Sequence, residues 1–121
     1  SLQEAKIVVC GGRGMGSKLK FKNLFELAQL LSGEVGATRP IVYAGWADDG
    51  ALVGQAGKHI KPRILFSFGI SGAIQHQAGM VGSQKIIAIN NDPEAPIFNV
   101  AHYKIVGDLN TVVPMMIIRA G

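Results

Sequence analysis

The segment spanning residues 64–76 constrains the fold most, because an apolar run gives way abruptly to small residues. Ile64–Phe68 is short and almost wholly apolar, which predicts a strand buried on both faces of a parallel sheet. Ser71–Ala73 are small enough to let a backbone or a ligand approach the start of the next helix. Gln75 and His76 add hydrogen-bonding groups one turn later. The pattern equally suits an ordinary strand–turn–helix corner in which small residues serve helix–sheet packing.

Other apolar runs alternate with helical patterns along the chain. Apolar residues recur at three- and four-residue intervals over about residues 20–32, which predicts a helix with one buried stripe and Gly33 as its stop. The stripe consists of Phe21, Leu24, Phe25, Ala28 and Leu31. Further helices are predicted at Ser71–Gly79 and at the C-terminal end, with Pro114 in the first turn of the latter.

Five short strands are predicted between these helices. They are Lys6–Cys10, Glu34–Thr38, Ile64–Phe68, Lys85–Asn90 and Lys104–Val106. Residues 11–17 and most of residues 39–58 are expected to be irregular because of their glycine, proline and aspartate content. Strands that alternate with helices indicate a parallel sheet covered on both faces. With 121 residues, 48% of them hydrophobic, we expect one α/β domain, a three-layer Rossmann-like fold over residues 1–121.

Parallel strands end at one edge of their sheet, where ligands collect. The segments that follow the predicted strands are unusually rich in glycine and polar residues: Gly11–Gly14, Thr38–Arg39, Gly69–Gly72, Asn90–Asp92 and Gly107–Leu109. Backbone N–H groups in a glycine turn bind phosphate, and Arg13 adds a permanently charged, forked donor. The sequence therefore predicts a dinucleotide site at this edge.

The first glycine loop departs from the common nucleotide fingerprints. Gly12 and Gly14 fill the first two glycine positions of a dinucleotide fingerprint, but Ser17 stands at the third. Glu34 begins the second strand, whereas the acid that binds the NAD ribose lies at the end of that strand. A standard NAD site is therefore disfavoured, although a nicotinamide-dependent oxidoreductase domain stays an alternative. The lysine and hydroxyl residue of an ATP-binding P-loop are also absent from this turn.

Composition argues against several other classes. The formal charge of +4 is spread along the chain, and its one local cluster, Lys18–Lys22, suits a solvated helix face. No basic stripe interleaved with aromatic residues indicates a nucleic-acid surface. No apolar stretch approaches the roughly 18–20 residues of a membrane span. The single cysteine, Cys10, excludes an internal disulfide and is expected in the core.

Several segments, in order and at matching spacing, resemble the C-terminal FAD-binding domain of the electron transfer flavoprotein alpha subunit. The resemblance covers about residues 5–114 and implies a Rossmann-like (DHS-like) domain that binds FAD. The segments are Lys6–Gly14, Val35–Arg39, Ala44–Trp46, Val53–Gln55, Gly57–Lys58, Gly69–Met80, Asp92–Phe98 and Ile105–Leu109.

The resemblance implies an electron carrier, not an enzyme. Such carriers accept electrons from acyl-CoA or other flavin dehydrogenases and pass them to a quinone reductase or another acceptor. Their alpha subunit has a further N-terminal domain and pairs with a beta subunit, so we expect these residues to be one domain of a longer alpha subunit. A bacterial cytoplasm is expected rather than a mitochondrial matrix, with no nucleic-acid partner and no direct membrane insertion. The alternative is a non-redox, adenine-nucleotide-binding structural module of the same fold.

The resemblance also implies which residues contact FAD. Arg13 would bind near the pyrophosphate, Thr38 and Arg39 would face the flavin, and residues 53–56 would run past its ring. Residues 71–76 would hold the phosphate, ribityl and pyrimidine edges, and the residues late in the chain would hold the adenosine end. The set is Arg13, Thr38, Arg39, Val53, Gly54, Gln55, Ala56, Ser71, Gly72, Ala73, Ile74, Gln75, His76, Asn90, Asp108 and Leu109. No nucleophile–base pair, catalytic carboxylate pair or metal-ligand cluster is expected.

Two residues are expected to stabilise the reduced ring. An electron added to flavin builds negative charge near its N1–C2 carbonyl, where a cation from Arg39 or His76 lowers the energy. The structural alternatives are a core histidine bonded to backbone and a surface arginine in an ion pair.

One departure from the family pattern affects the same ring. Ala56 stands where the family commonly has a threonine, whose hydroxyl the resemblance implies is bonded to flavin N5. The hypothesis is a flavin that still binds but has a retuned potential. Tyr43, where the family often has aspartate, is a second departure.

Overall fold

A computed structural model describes all residues from Ser1 to Gly121 and contains one five-stranded parallel sheet. The strands are β1 (Ile7–Gly11), β2 (Glu34–Ala37), β3 (Ile64–Phe68), β4 (Lys85–Asn90) and β5 (Tyr103–Val106). Their order in the sheet is β2-β1-β3-β4-β5. β2 thus lies on one side of β1, whereas β3, β4 and β5 follow on the other side. This reversal opens a crevice between the carboxyl ends of β1 and β3.

Helices cover both faces of the sheet. They are α1 (Lys18–Phe21), α2 (Asn23–Leu30), α3 (Arg39–Tyr43), α4 (Ile74–Met80) and α5 (Leu109–Ala120), with short 3-10 turns at Leu2–Glu4, Arg13–Met15, Asp49–Ala51 and Pro96–Asn99. Val9 and Phe68 pack with α2 and α5 on one face, whereas Val8 and Leu65 pack with Met80 of α4 on the other. The α/β fold with three layers is therefore confirmed. None of the helices combines the length and apolar character that crossing a bilayer requires.

A row of small residues crosses the sheet on the face that α4 covers, near the carboxyl ends of the strands. Gly36, Cys10, Ser67 and Ala88 are register partners across β2, β1, β3 and β4. A side chain at Gly36 would lie 2.6 Å from the Cys10 sulfur and 3.0 Å from the Val53 side chain. The row therefore lets the segment containing Val53 pack directly onto the strands, beside their carboxyl ends.

The prediction of one helix over residues 20–32 was wrong in two respects: the segment forms two helices, and one residue of the predicted buried stripe is exposed. It divides at Lys22 into α1 and α2, and Ser17 caps α1 by accepting a hydrogen bond from the Lys20 N–H at 3.1 Å. Phe25 is 47% exposed, so it lies outside the buried stripe. Lys22 keeps helical backbone angles, so the division is a local interruption, which periodicity alone could not reveal.

The predicted stop at Gly33 was one residue late. The left-handed residue after α2 is Ser32, with φ of 57°. The Ser32 N–H donates to the Gln29 carbonyl, and the Gly33 N–H donates to the Ala28 carbonyl at 2.7 Å. These paired bonds form a Schellman ending, with Ser32 in the position that glycine usually occupies.

Other element boundaries also required correction. Residues 39–58 are mostly irregular, as expected, although they begin with α3, where Pro40 is tolerated in the first turn. The helix predicted from Ser71 begins only at Ile74, because Gly72 has φ of 100°. Pro114 is not in the first turn of α5 but inside the helix, since Asp108 caps the helix by accepting from the Asn110 N–H. Cys10 is buried as expected, and burial raises the pKa of its thiol to about 12.

Replacing Ser32 by glycine should stabilise the protein by about 0.5–1 kcal/mol, because glycine adopts the left-handed conformation without the steric cost that serine has. The greater entropy of glycine in the unfolded chain offsets part of this gain. Gly33→Ala is the matched opposite change, since its methyl group would lie 2.6 Å from the Ile7 carbonyl oxygen. It should destabilise by about 1–3 kcal/mol. Urea unfolding measures both, and a destabilised Ser32→Gly variant would contradict this account of the helix end.

Candidate functional site

A cleft of about 720 Å³ lies at the carboxyl ends of the strands. Its walls come from the loops after β1, β3 and β4, from the start of α3, and from the segment spanning residues 52–56. This volume falls within the range of about 300–1,000 Å³ typical of small-molecule sites. Segments far apart in sequence therefore meet around one cavity at the edge where the sequence predicted a ligand.

Most of the residues expected to contact FAD line this cleft. They are Arg13, Thr38, Arg39, Val53, Gly54, Gln55, Ala56, Ser71, Gly72, Ala73, Gln75, His76 and Asn90. Arg13 and Arg39 are exposed at its rim, and Thr38 is buried. Their contacts with a ligand stay a prediction.

Three of the expected residues lie outside the cleft. Ile74 is 80% exposed, because its position at the start of α4 turns its side chain to solvent. Asp108 uses its carboxylate to cap α5. Leu109 is buried in the core, where its side chain packs close to the Gly69 backbone. The structure therefore does not bring these side chains to the cavity.

The carbonyl groups of the loop after β3 are all occupied by other parts of the protein. The Gly69 carbonyl accepts from the Gly14 N–H at 2.9 Å, and the Ser71 carbonyl accepts from the Ile97 N–H at 2.8 Å. Two side-chain amides hold the other two carbonyls: Asn90 Nδ2 donates to Ile70 at 3.0 Å, and Gln77 Nε2 donates to Gly72 at 2.8 Å.

The N–H groups of the same loop and of the first two residues of α4 are free. None of the backbone N–H groups from residue 70 to residue 75 donates to a protein acceptor, and all of these residues except Ile74 line the cleft. Gly72 permits this arrangement, because a side chain there would lie 2.4 Å from the Ile97 nitrogen. Successive unpaired N–H groups bind anions, and Arg13 lies in the same cavity. The loop is thus suited to phosphate.

His76 supplies a second kind of polar group. It is only 6% exposed, and its Nδ1 donates to the Val53 carbonyl oxygen at 2.9 Å. Because Nδ1 carries the proton, Nε2 of the neutral ring is an acceptor, and it is buried without any partner. Burial lowers the pKa of His76 below its usual value, although the bond to Val53 opposes that change. A buried, unpaired acceptor in a cleft fits a ligand that donates there.

The segment from Val53 to Ala56 is fixed by backbone bonds. The Val53 N–H donates to the Ala37 carbonyl at 2.9 Å, and the Gln55 N–H donates to the Gln75 carbonyl at 2.6 Å. These bonds join the segment to β2 and to α4. Ala56 lines the cleft with a methyl group that can neither donate nor accept a hydrogen bond.

Sequence reasoning missed some of the residues that line the cleft. They are Gly12, Gly14, Pro40, Leu52, Gly69, Ile70, Asp92, Ala95 and Pro96. The glycines and Asp92 lay in segments already singled out at the sheet edge, so a signal existed for them. Ala95 and Pro96 lay in the segment Asp92–Phe98 that carries the resemblance, and the bond from the Ile97 N–H to the Ser71 carbonyl brings them to the cavity. Nowhere do three or more histidine, cysteine or acidic side chains form a group that could hold a metal ion.

Comparison with known proteins adds an independent finding. The family profile described as the electron transfer flavoprotein FAD-binding domain matches residues 1–81. Protein FixB of Azotobacter vinelandii is 53% identical over 116 residues, which are 96% of this chain and 32% of that protein. The electron transfer flavoprotein subunit alpha of Bacillus subtilis is 53% identical over 115 residues, 95% of this chain and 35% of that subunit. The chain thus spans about a third of the length of these curated relatives.

A solved structure shares the fold at much lower identity. A Mycobacterium smegmatis protein described as a thiamin diphosphate-dependent enzyme matches with a TM-score of 0.59 and 13% identity. The match covers 96% of this chain and 25% of that one. At this identity the likeness concerns the fold alone.

Protonation of His76 should cost stability in the ligand-free protein. Its pKa is lowered on folding, so below about pH 6.5 the unfolded chain binds a proton that the folded chain resists. The free energy of unfolding should therefore decrease as the pH falls from about 7 to 5. His76→Asn keeps a donor for the Val53 carbonyl without titrating, and it should show a weaker decrease in urea unfolding. Identical pH profiles for the two proteins would contradict the assignment.

Proposed function

Because this chain belongs to the electron transfer flavoprotein alpha-subunit family of FAD-binding domains, we propose that it is the FAD-binding domain of a longer alpha subunit. That subunit pairs with a beta subunit and carries electrons without catalysing a reaction of its own. Its donors are acyl-CoA or other flavin dehydrogenases, and its acceptor is a quinone reductase or another redox partner. The bacterial relatives support a place in the bacterial cytoplasm.

The run of free N–H groups after β3 carries this proposal. The pyrophosphate of FAD is an anion, and the N–H groups of residues 70–75 form the largest set of unpaired donors in the cleft. Arg13, exposed in the same cavity, adds a forked cation. These groups would hold the phosphates at the crevice between β1 and β3, which leaves room for one half of the dinucleotide on each side.

The residues on the β2 side would hold the flavin half. Bound FAD supplies an isoalloxazine ring that accepts and releases electrons, with negative charge developing near N1 and the C2 carbonyl on reduction. Arg39 offers a permanent cation at the rim of the cleft. His76 is neutral at pH 7 in the ligand-free protein, and a negative charge beside Nε2 would favour a proton at that atom.

The flavin spectrum of the complex tests this proposal. The full-length alpha subunit, purified with its beta subunit, should be yellow, show a flavin absorption band, and be reduced and reoxidised reversibly by dithionite and air. The contrasting function is a structural module that binds only an adenine nucleotide. A colourless, intact complex that binds ADP but refuses FAD would establish that alternative and overturn the carrier.

Restoring a hydroxyl at position 56 should change the flavin potential. In Ala56→Thr a hydroxyl can bond to the ring, and one neutral hydrogen bond contributes about 0.5–1.5 kcal/mol. This corresponds to about 20–65 mV for a one-electron couple, which a potentiometric titration of the complex resolves. Ala78→Thr is the matched control, since Ala78 is exposed on α4 and does not line the cleft. If neither one-electron potential moves in Ala56→Thr, position 56 does not tune the ring.

A further inference from the structure

We propose that Gln77 and Asn90 are positioning residues, which aim the free N–H groups of the loop after β3 into the cleft through the carbonyl groups that they hold. The inference rests on the proposed function, because the phosphates of FAD are the anion in question. It assigns a role to Gln77, which was not among the residues expected to contact FAD, and a second role to Asn90, which was expected to hold adenosine.

Gln77 acts from outside the cleft. It lies in the middle of α4, is half-buried, and does not line the cavity. Its Nε2 donates to the Gly72 carbonyl oxygen at 2.8 Å, five residues back along the chain. No hydrogen bond between backbone groups holds that carbonyl. The side chain of Gln77 is therefore what ties the Gly72 peptide to α4.

Asn90 acts from the end of β4. It is 8% exposed, and both ends of its amide are engaged. Nδ2 donates to the Ile70 carbonyl oxygen at 3.0 Å, and Oδ1 accepts from the Asp92 N–H at 2.9 Å. Asp92 in turn accepts from the Glu94 N–H, so the amide of Asn90 is oriented by an ordered turn. Its two hydrogen-bonding atoms thus join two walls of the cleft.

Peptide geometry connects these bonds to the anion site. In a planar trans peptide, the carbonyl of one residue and the N–H of the next point in opposite directions. Holding the Ile70 carbonyl therefore sets the direction of the Ser71 N–H, and holding the Gly72 carbonyl sets that of the Ala73 N–H. Both of these N–H groups are free, and both residues line the cleft. Gly72 has φ of 100° and could rotate easily if its carbonyl were released.

The test compares a ligand that has phosphates with one that lacks them. Gln77→Leu and Asn90→Leu remove the amides at similar volume and unchanged charge. The flavin-free complex of full-length alpha and beta subunits is titrated with ADP and with adenosine by equilibrium dialysis. Gln29→Leu, on the exposed face of α2 and away from the cleft, is the matched control. Gln77→Leu keeps the test available if Asn90→Leu does not fold.

We expect the dissociation constant of ADP to rise about 3- to 10-fold in Gln77→Leu, the equivalent of one hydrogen bond, while that of adenosine stays unchanged. An equal loss for ADP and adenosine would mean that the amides only support the fold, and this would overturn the inference. Unchanged ADP binding would overturn it as well. If the unaltered complex binds FAD and is reduced reversibly, either of these two results overturns the positioning role alone and leaves the proposed function intact. If the unaltered complex binds neither FAD nor ADP, the proposed function fails first.

Discussion

The site depends on the direction of the peptide groups in one short loop. Between Gly69 and Gly72 every carbonyl is bonded to another part of the protein, and the N–H groups that follow are left without protein acceptors. A buried loop normally pairs both kinds of group, because an unpaired N–H away from water costs about 1–3 kcal/mol. Here the unpaired groups open onto a cleft, where water or an anionic ligand can accept their hydrogen bonds.

The sheet places this loop beside the other parts of the site. Its strand order reverses between β1 and β3, so the glycine segments after these two strands lie side by side, as the bond from Gly14 to Gly69 shows. The row of small residues under the cleft lets Val53 pack onto the strands. Val53 in turn accepts the hydrogen bond that orients His76. The packing of the α4 layer and the hydrogen bonding of the histidine are thus parts of one arrangement.

Electrostatics divides the cleft into two regions of different character. The loop after β3 and Arg13 offer fixed positive charge, which suits a group whose charge is permanent. His76 is instead buried and neutral at pH 7, with an acceptor that has no protein partner. Such a group can respond to a charge that appears only when its ligand is reduced. The two regions match the phosphate and flavin halves of the proposed cofactor.

Some features followed from the amino-acid sequence by itself. The strands Ile64–Phe68 and Lys85–Asn90 have the predicted bounds, because continuous apolar runs between polar residues leave only a buried strand. The parallel sheet and the edge that carries the cleft followed from the alternation of strands and helices. The tertiary structure alone decided that Gln77 and Asn90 hold the carbonyls of the loop, that Leu109 is buried in the core, and that His76 Nε2 is unpaired. A side chain's partner depends on which segments pack together, and residue spacing along one chain does not contain that information.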